Sequence, residues 1–271
     1  MNYIVSRQGS PSPMIESKPS LRFSLRRLGM LTPSSNTVLE PVCGAILAGL
    51  GDVSVHFSRL RVTEISLSVA ANDQFAHEGM LHAAELLADA RVDSICWNGT
   101  SASWLGLDRD RDLCRAIEHA TGVTATSSVL AMVELLRGAG IRRFGLVSPY
   151  IDRVQRQIGE TLEAEDFEVV AERHLGLSDN FAFSEVTVQQ IEDMIRATAL
   201  AKPQAVLVMC TNLRAAPLVD ALERELGVPV LDSVAATVWG GLRIAGVSPR
   251  CMHGWGRIFA GLDPSAVEPL R

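Results

Sequence analysis

The chain has 271 residues, which at about 150 residues per domain points to roughly two domains. Apolar residues make up 47% and charged residues 21%, a globular mix that excludes an intrinsically disordered chain. The formal charge of −6 argues against a nucleic-acid partner, yet leaves room for a small anion held by backbone N–H groups.

In chain order, residues 1–23 hold Pro, Ser and Gly without an apolar core of signal-peptide length, and read as a flexible N-terminal tail. Short runs rich in Val, Ile and Leu at 28–32, 53–57, 93–97, 144–148, 167–171 and 205–209 are predicted to be buried parallel strands. LHAAELLADA (81–90) and LVDALEREL (218–226) place apolar residues at i, i+3, i+4 and i+7, the pattern of amphipathic crossover helices. No run of 18 apolar residues is present to span a membrane.

The chain is written twice. RLGMLTP (27–33) returns as RFGLVSP (143–149), and DSICWNGTSASWLG (93–106) as QAVLVMCTNLRAAPLV (204–219). GVTATSSVLAMVELLRGAG (122–140) returns as GVPVLDSVAATVWGGLRIAG (227–246). The offsets drift slowly, from 116 through 111 to 105, and the order is kept. The expectation is a duplicated α/β unit, each half a small doubly wound parallel sheet, with one ligand site between them at the carboxyl ends of the strands. Residues 24–127 with 234–271 are expected to form lobe 1, and 128–233 lobe 2.

Four loops would line that site. TPSSNTVLEP (32–41) carries Ser34, Ser35 and Asn36 before a helix, where side-chain oxygens cap and free N–H groups can hold an anion. Its counterpart SPYIDRV (148–154) offers Ser148 and Tyr150. NGTSASW (98–104) and MCTNLRA (209–215) are the second pair, with Gly99 and Cys210 in corresponding positions. Gly99, Thr100 and Ser101 face Cys210, Thr211 and Asn212 across the repeat, and a small residue followed by hydroxyls and amides makes a compact anion cradle. A cysteine at a helix N-terminus has its thiolate favoured by the helix dipole, which would suit Cys210 to proton transfer near neutral pH. Arg61 could reach an anion at a strand end, though an ordinary surface role is as good a reading.

Other chemistry is not signalled. Cys43, Cys96, Cys114 and Cys251 read as structural, and with no CxxC pair neither a disulfide framework nor a zinc knuckle is suggested. A reducing, cytoplasmic setting follows as the default. The six histidines form no ligand spacing, and neither nucleotide-binding glycine loops nor a GxSxG elbow occurs, so no metal and no cofactor is expected.

TPSSNTVLEP, GTSAS, the SPY loop and CTN together resemble the aspartate/glutamate racemase superfamily, and most closely its maleate cis-trans isomerase and arylmalonate decarboxylase branch, with proteins of ectoine-utilisation clusters sharing the look. The resemblance covers about residues 27 to 246. It implies two pseudo-symmetric flavodoxin-like lobes with parallel sheets, an active site in the cleft between them, and cofactor-independent chemistry at carbon next to a carboxylate. Racemases of the superfamily use one cysteine per lobe, and maleate isomerase resembles a two-cysteine enzyme. Gly99 stands where those relatives carry the first cysteine, the one-sided pattern of the decarboxylase branch.

By that resemblance Cys210 would be catalytic, and Thr100, Ser101 and Tyr150 would bind the retained carboxylate beside Gly99. Thr211 and Asn212 would add backbone support, and Asn36 and Asn180 would match carboxylate-holding positions of the isomerase branch. The implied reaction is decarboxylation of a malonate-type acid through an enediolate protonated by Cys210, with maleate isomerase-like or racemase-like activity as the alternative. A non-catalytic carboxylate-binding protein is the alternative from another class. The expected partner is a small dicarboxylate, with neither nucleic acid nor membrane, in a homo-oligomer by base rate.

Overall fold

A computed structural model describes residues 25–262; the expected N-terminal tail lies outside them. The architecture is α/β, with two four-stranded sheets whose strands are all parallel. The first sheet runs β2-β1-β3-β4, from β1 (Arg26–Pro33), β2 (Val53–Leu60), β3 (Ser94–Trp97) and β4 (Ala125–Ser127). The second runs β6-β5-β7-β8, from β5 (Arg143–Tyr150), β6 (Glu168–Leu177), β7 (Ala205–Val208) and β8 (Val230–Asp232). The order is the same with each number raised by four, which is the repeat of the sequence realised as topology.

Burial follows the strand's place in the sheet. SICW in β3 and AVLV in β7 are buried at every residue, because central strands of a parallel sheet are covered on both faces. At one edge of each sheet VSVHFSRL and EVVAERHLGL stay half-exposed, whereas the short strands β4 and β8 at the other edge are largely buried. The six strands read from apolar runs are all present. The three-residue strands β4 and β8 are too short to leave a run of their own.

Before β5 the chain carries α1 (Leu39–Leu47), α2 (Val69–Asp73), α3 (His77–Asp89), α4 (Ala102–Leu105), α5 (Leu107–Thr121) and α6 (Ser128–Gly138) in chain order. Then come α7 (Asp152–Glu163), α8 (Val188–Ala199), α9 (Val219–Leu226), α10 (Ser233–Ile244) and a last turn, α11 (Arg257–Ala260). The two helices expected from periodicity are α3 and α9. α10 crosses to the first sheet and lies against β3, β4 and α1. Gly241 permits that approach, since a Cβ there would sit 2.8 Å from the Cys96 sulfur. On this packing we propose that α10 be counted with lobe 1.

Among the described residues, no helix is long and apolar enough to cross a membrane.

Candidate active site

The carboxyl ends of β1, β3, β5 and β7 release the four loops singled out by the repeat, and hydrogen bonds between the lobes join them. Cys210 follows the end of β7 and is buried. Its sulfur accepts the backbone N–H of Asn212 at 3.4 Å, and the hydroxyl of Tyr150, the last residue of β5, lies close enough to favour the thiolate. The Tyr150 oxygen lies 2.7 Å from Thr100 Oγ1. Either hydroxyl can be the donor in this pair. Two paired hydroxyls thus lead from the first half of the chain toward the thiol of the second.

Burial dominates the electrostatics of these groups. It pushes the Cys210 thiol up to about 12, against the opposing pull of the Asn212 N–H and the Tyr150 hydroxyl. It also lifts Tyr150 well above the ordinary phenol range. This corrects the helix-dipole argument for Cys210. The next α-helix begins only at Val219, after a turn and a short 3-10 segment at 216–218, so no helix terminus sits at the thiol. A helix dipole acts within a turn of its end, whereas desolvation acts at once. The resting group is the neutral thiol.

The asparagines and Thr211 tie the lobes together. Asn36 Oδ1 accepts the N–H groups of Val38 and Leu39 at 3.0 and 2.9 Å, fixing the entry to α1. Its Nδ2 donates to the carbonyl and hydroxyl of Thr211 at 3.1 and 3.2 Å. Thr211 Oγ1 in turn donates to the Asn98 carbonyl at 3.0 Å. Asn212 Oδ1 accepts the Thr37 N–H at 3.0 Å, and its Nδ2 donates to the Asn180 carbonyl at 2.5 Å. Asn180 Nδ2 reaches Ser35 Oγ at 2.7 Å, and its backbone N–H reaches the Thr63 carbonyl at 2.9 Å.

Free donors remain on the lobe 1 side. Ser101 Oγ accepts the Trp97 indole N–H at 3.4 Å, which leaves its own proton to give. The backbone N–H groups of Thr100 and Ser101 meet no acceptor among the described residues. No lysine or arginine is buried among them either. An anion held here would be held by hydroxyls and peptide groups. Aromatic rings enclose the place: Phe75 meets Trp97 and Trp104 edge-on, and Trp104 and Phe183 both meet Tyr150.

The structure therefore gathers all nine sequence-predicted site residues into one buried cluster of loops. Arg61 lies exposed, and it is Arg59 that reaches the loop, donating to the carbonyls of Ser34 and Asn36 and pairing with Glu40. Cys43, Cys96 and Cys114 are buried, with their thiols pushed up by burial. Sequence reasoning passed over two residues. Trp97 packs on Gly99, and its signal was only a large aromatic two positions earlier. Asp232 caps α10, one of its carboxylate oxygens has no partner, and burial lifts it to about 7. Its signal lay in the repeat, where it is the counterpart of Ser127. Among the described residues, no group of three or more His, Cys, Asp or Glu side chains could hold a metal ion.

Two matched sheets with a shared site between them set the class, a duplicated α/β protein of pseudo-twofold design. Comparison with known proteins adds the family. The sequence profile of the arylmalonate decarboxylase family matches residues 38–259. The chain belongs to that family, within the Asp/Glu racemase superfamily, and is an enzyme. It is 32% identical to arylmalonate decarboxylase of Bordetella bronchiseptica over 164 residues, 59% of this chain and 68% of the relative. It is 29% identical to maleate isomerase of Nocardia farcinica over 245 residues, 87% of this chain and 96% of the relative. A cysteine-to-serine variant of the latter, carrying a covalently bound succinylcysteine intermediate, superposes with a TM-score of 0.78 at 27% identity, covering 87% of this chain and 98% of that one. A glycine-to-cysteine, cysteine-to-serine variant of arylmalonate decarboxylase in liganded form gives 0.76 at 26% identity, covering 86% and 98%.

Proposed function

We propose that this enzyme decarboxylates a small malonate-type dicarboxylic acid without a cofactor, Cys210 delivering the proton. The observation that carries the reading is a single buried thiol, held neutral, opposite a glycine. Breaking the bond to CO₂ leaves its electron pair on the α-carbon as an enediolate and needs no base. What lowers the barrier is a set of donors aimed at the retained carboxylate as its charge grows. Ser101, Thr100 with Tyr150, and the two free N–H groups supply that set in this reading. Cys210 S–H then gives its proton to the α-carbon. The resulting thiolate is met by the Asn212 N–H and the Tyr150 hydroxyl, and regains a proton from water. Asn36, Asn180, Thr211 and Asn212 serve as ties that hold these groups at their distances.

A neutral thiol fits proton donation better than nucleophilic addition, which requires thiolate. Maleate isomerisation is the second reading, favoured by the near full-length likeness to maleate isomerase. Proton NMR in heavy water, with a pool of malonates, maleate, aspartate and glutamate, separates the two. A malonate that loses CO₂ and gains one deuterium with wild type, but not with Cys210→Ala, is the expected result. Conversion of maleate to fumarate would transfer the assignment to isomerisation. A thermal shift caused by an acid that is never turned over would instead support a binding protein.

A further inference from the structure

No side chain can begin at Gly99 as the site stands. A Cβ there would lie 2.1 Å from Cζ2 and 2.4 Å from Cε2 of Trp97, where carbon atoms normally approach to about 3.5 Å. Backbone conformation is not the reason for glycine, because Gly99 is not among the residues with positive φ. The requirement is space. The ring is also pinned: Trp97 is fully buried, its N–H is committed to Ser101 Oγ, and Phe75 packs on it edge-on at 6.3 Å between centroids. Gly99 is the counterpart of Cys210 in the repeat. The indole edge occupies the position from which a first-lobe thiol would have to grow.

We propose that Trp97 is a specificity-determining residue that makes the site one-faced. Its indole closes the lobe 1 side, so the enediolate takes its proton only from Cys210. Its N–H holds Ser101 by a lone pair, leaving the serine proton for the substrate. The proposal rests on the reading of Cys210 as proton donor. It explains why glycine alone does not define the lobe 1 end: the space left by the missing side chain is filled by its neighbour, not open to substrate or water. Were Gly99→Cys combined with removal of the indole, each face would carry a thiol. The thiolate introduced by Gly99→Cys could then take the α-proton of a monoacid product, the C–H electron pair passing into the enediolate, and Cys210 S–H could return a proton from the other side.

Two measurements test this. The first is a thermal-unfolding cycle that needs no substrate. Gly99→Ala lowers the melting temperature by about 5 °C when Trp97 is present, the overpacking penalty of a filled core. In a Trp97→Leu background the same change costs less than about 2 °C. Should Trp97→Leu not fold, Trp97→Phe, which deletes the Cζ2 edge, gives the same comparison. An equal cost in both backgrounds overturns the proposal, whichever reaction the enzyme performs. The second follows α-deuterium exchange and loss of optical purity in a 2-substituted monoacid product. The Gly99→Cys/Trp97→Leu double variant is expected to exceed Gly99→Cys alone by about tenfold or more, the rate scale of one added acid–base group being larger still. A single Gly99→Cys variant that exchanges as fast as the double overturns the one-face assignment.

Discussion

The two strand ends that the repeat makes equivalent have been put to opposite uses. At the end of β3, Gly99, Thr100 and Ser101 run straight into α4, and the Thr100 and Ser101 N–H groups meet no acceptor among the described residues. At the end of β7, Cys210 is followed by Thr211 and Asn212, whose side chains are spent on ties to the other lobe. One end therefore keeps unpaired donors, and the other spends its side chains on the framework and, in the proposed reaction, gives the proton. Duplication supplied two copies of one strand order; the loops that leave β3 and β7 then diverged in backbone and in side chains.

The comparison can be broken most sharply at Cys210. Cys210→Ala should lower turnover by about 10³-fold, the scale of a lost general acid, with an unchanged melting temperature; full activity would show that the lobe 2 end gives no proton. Ser101→Ala should reduce kcat by about 10²-fold through loss of one donor at the developing charge. A change confined to KM would mean that the lobe 1 end only binds. Asn36→Ala removes the buried acceptor for the Val38 and Leu39 N–H groups and the link to Thr211, and should cost about 2 kcal/mol, roughly 5 °C in melting temperature. A neutral result would demote the tie.

The smallest effect is a pH slope at the helix caps. Ser127 accepts the Leu130 N–H at 3.1 Å, and its counterpart Asp232 accepts those of Val234 and Ala235. Burial raises the Asp232 carboxyl from 3.8 in the unfolded chain to about 7. The folded state thus holds a proton that the unfolded chain has released, so this group's contribution to stability falls as pH rises from about 4 to 7. Asp232→Asn keeps a capping oxygen and removes the titration. The fall in melting temperature between about pH 5 and 8 should shrink by a few degrees; an unchanged slope would assign it to Asp110 or Glu223, which burial also lifts to about 7.

Much of this was written in the order of residues. Runs such as AVLV have to be buried on both faces, so parallel strands and their sheet were legible, and the offsets of the repeat placed Gly99 opposite Cys210 without coordinates. The loops at the strand ends followed from the same logic. The state of the thiol did not, because a pKa depends on what surrounds the sulfur in space. A helix seemed to start at Cys210, yet the chain turns for several residues first, and burial outweighs any dipole. Nor could the sequence say that the Asn36 amide is already fully engaged, since its partner Thr211 is 175 residues away. Composition, period and repeat determined the fold and the position of the candidate site. Only tertiary packing decided which polar groups were left free, which were consumed, and that Trp97 fills the space beside Gly99, because those outcomes depend on atoms that meet across two lobes.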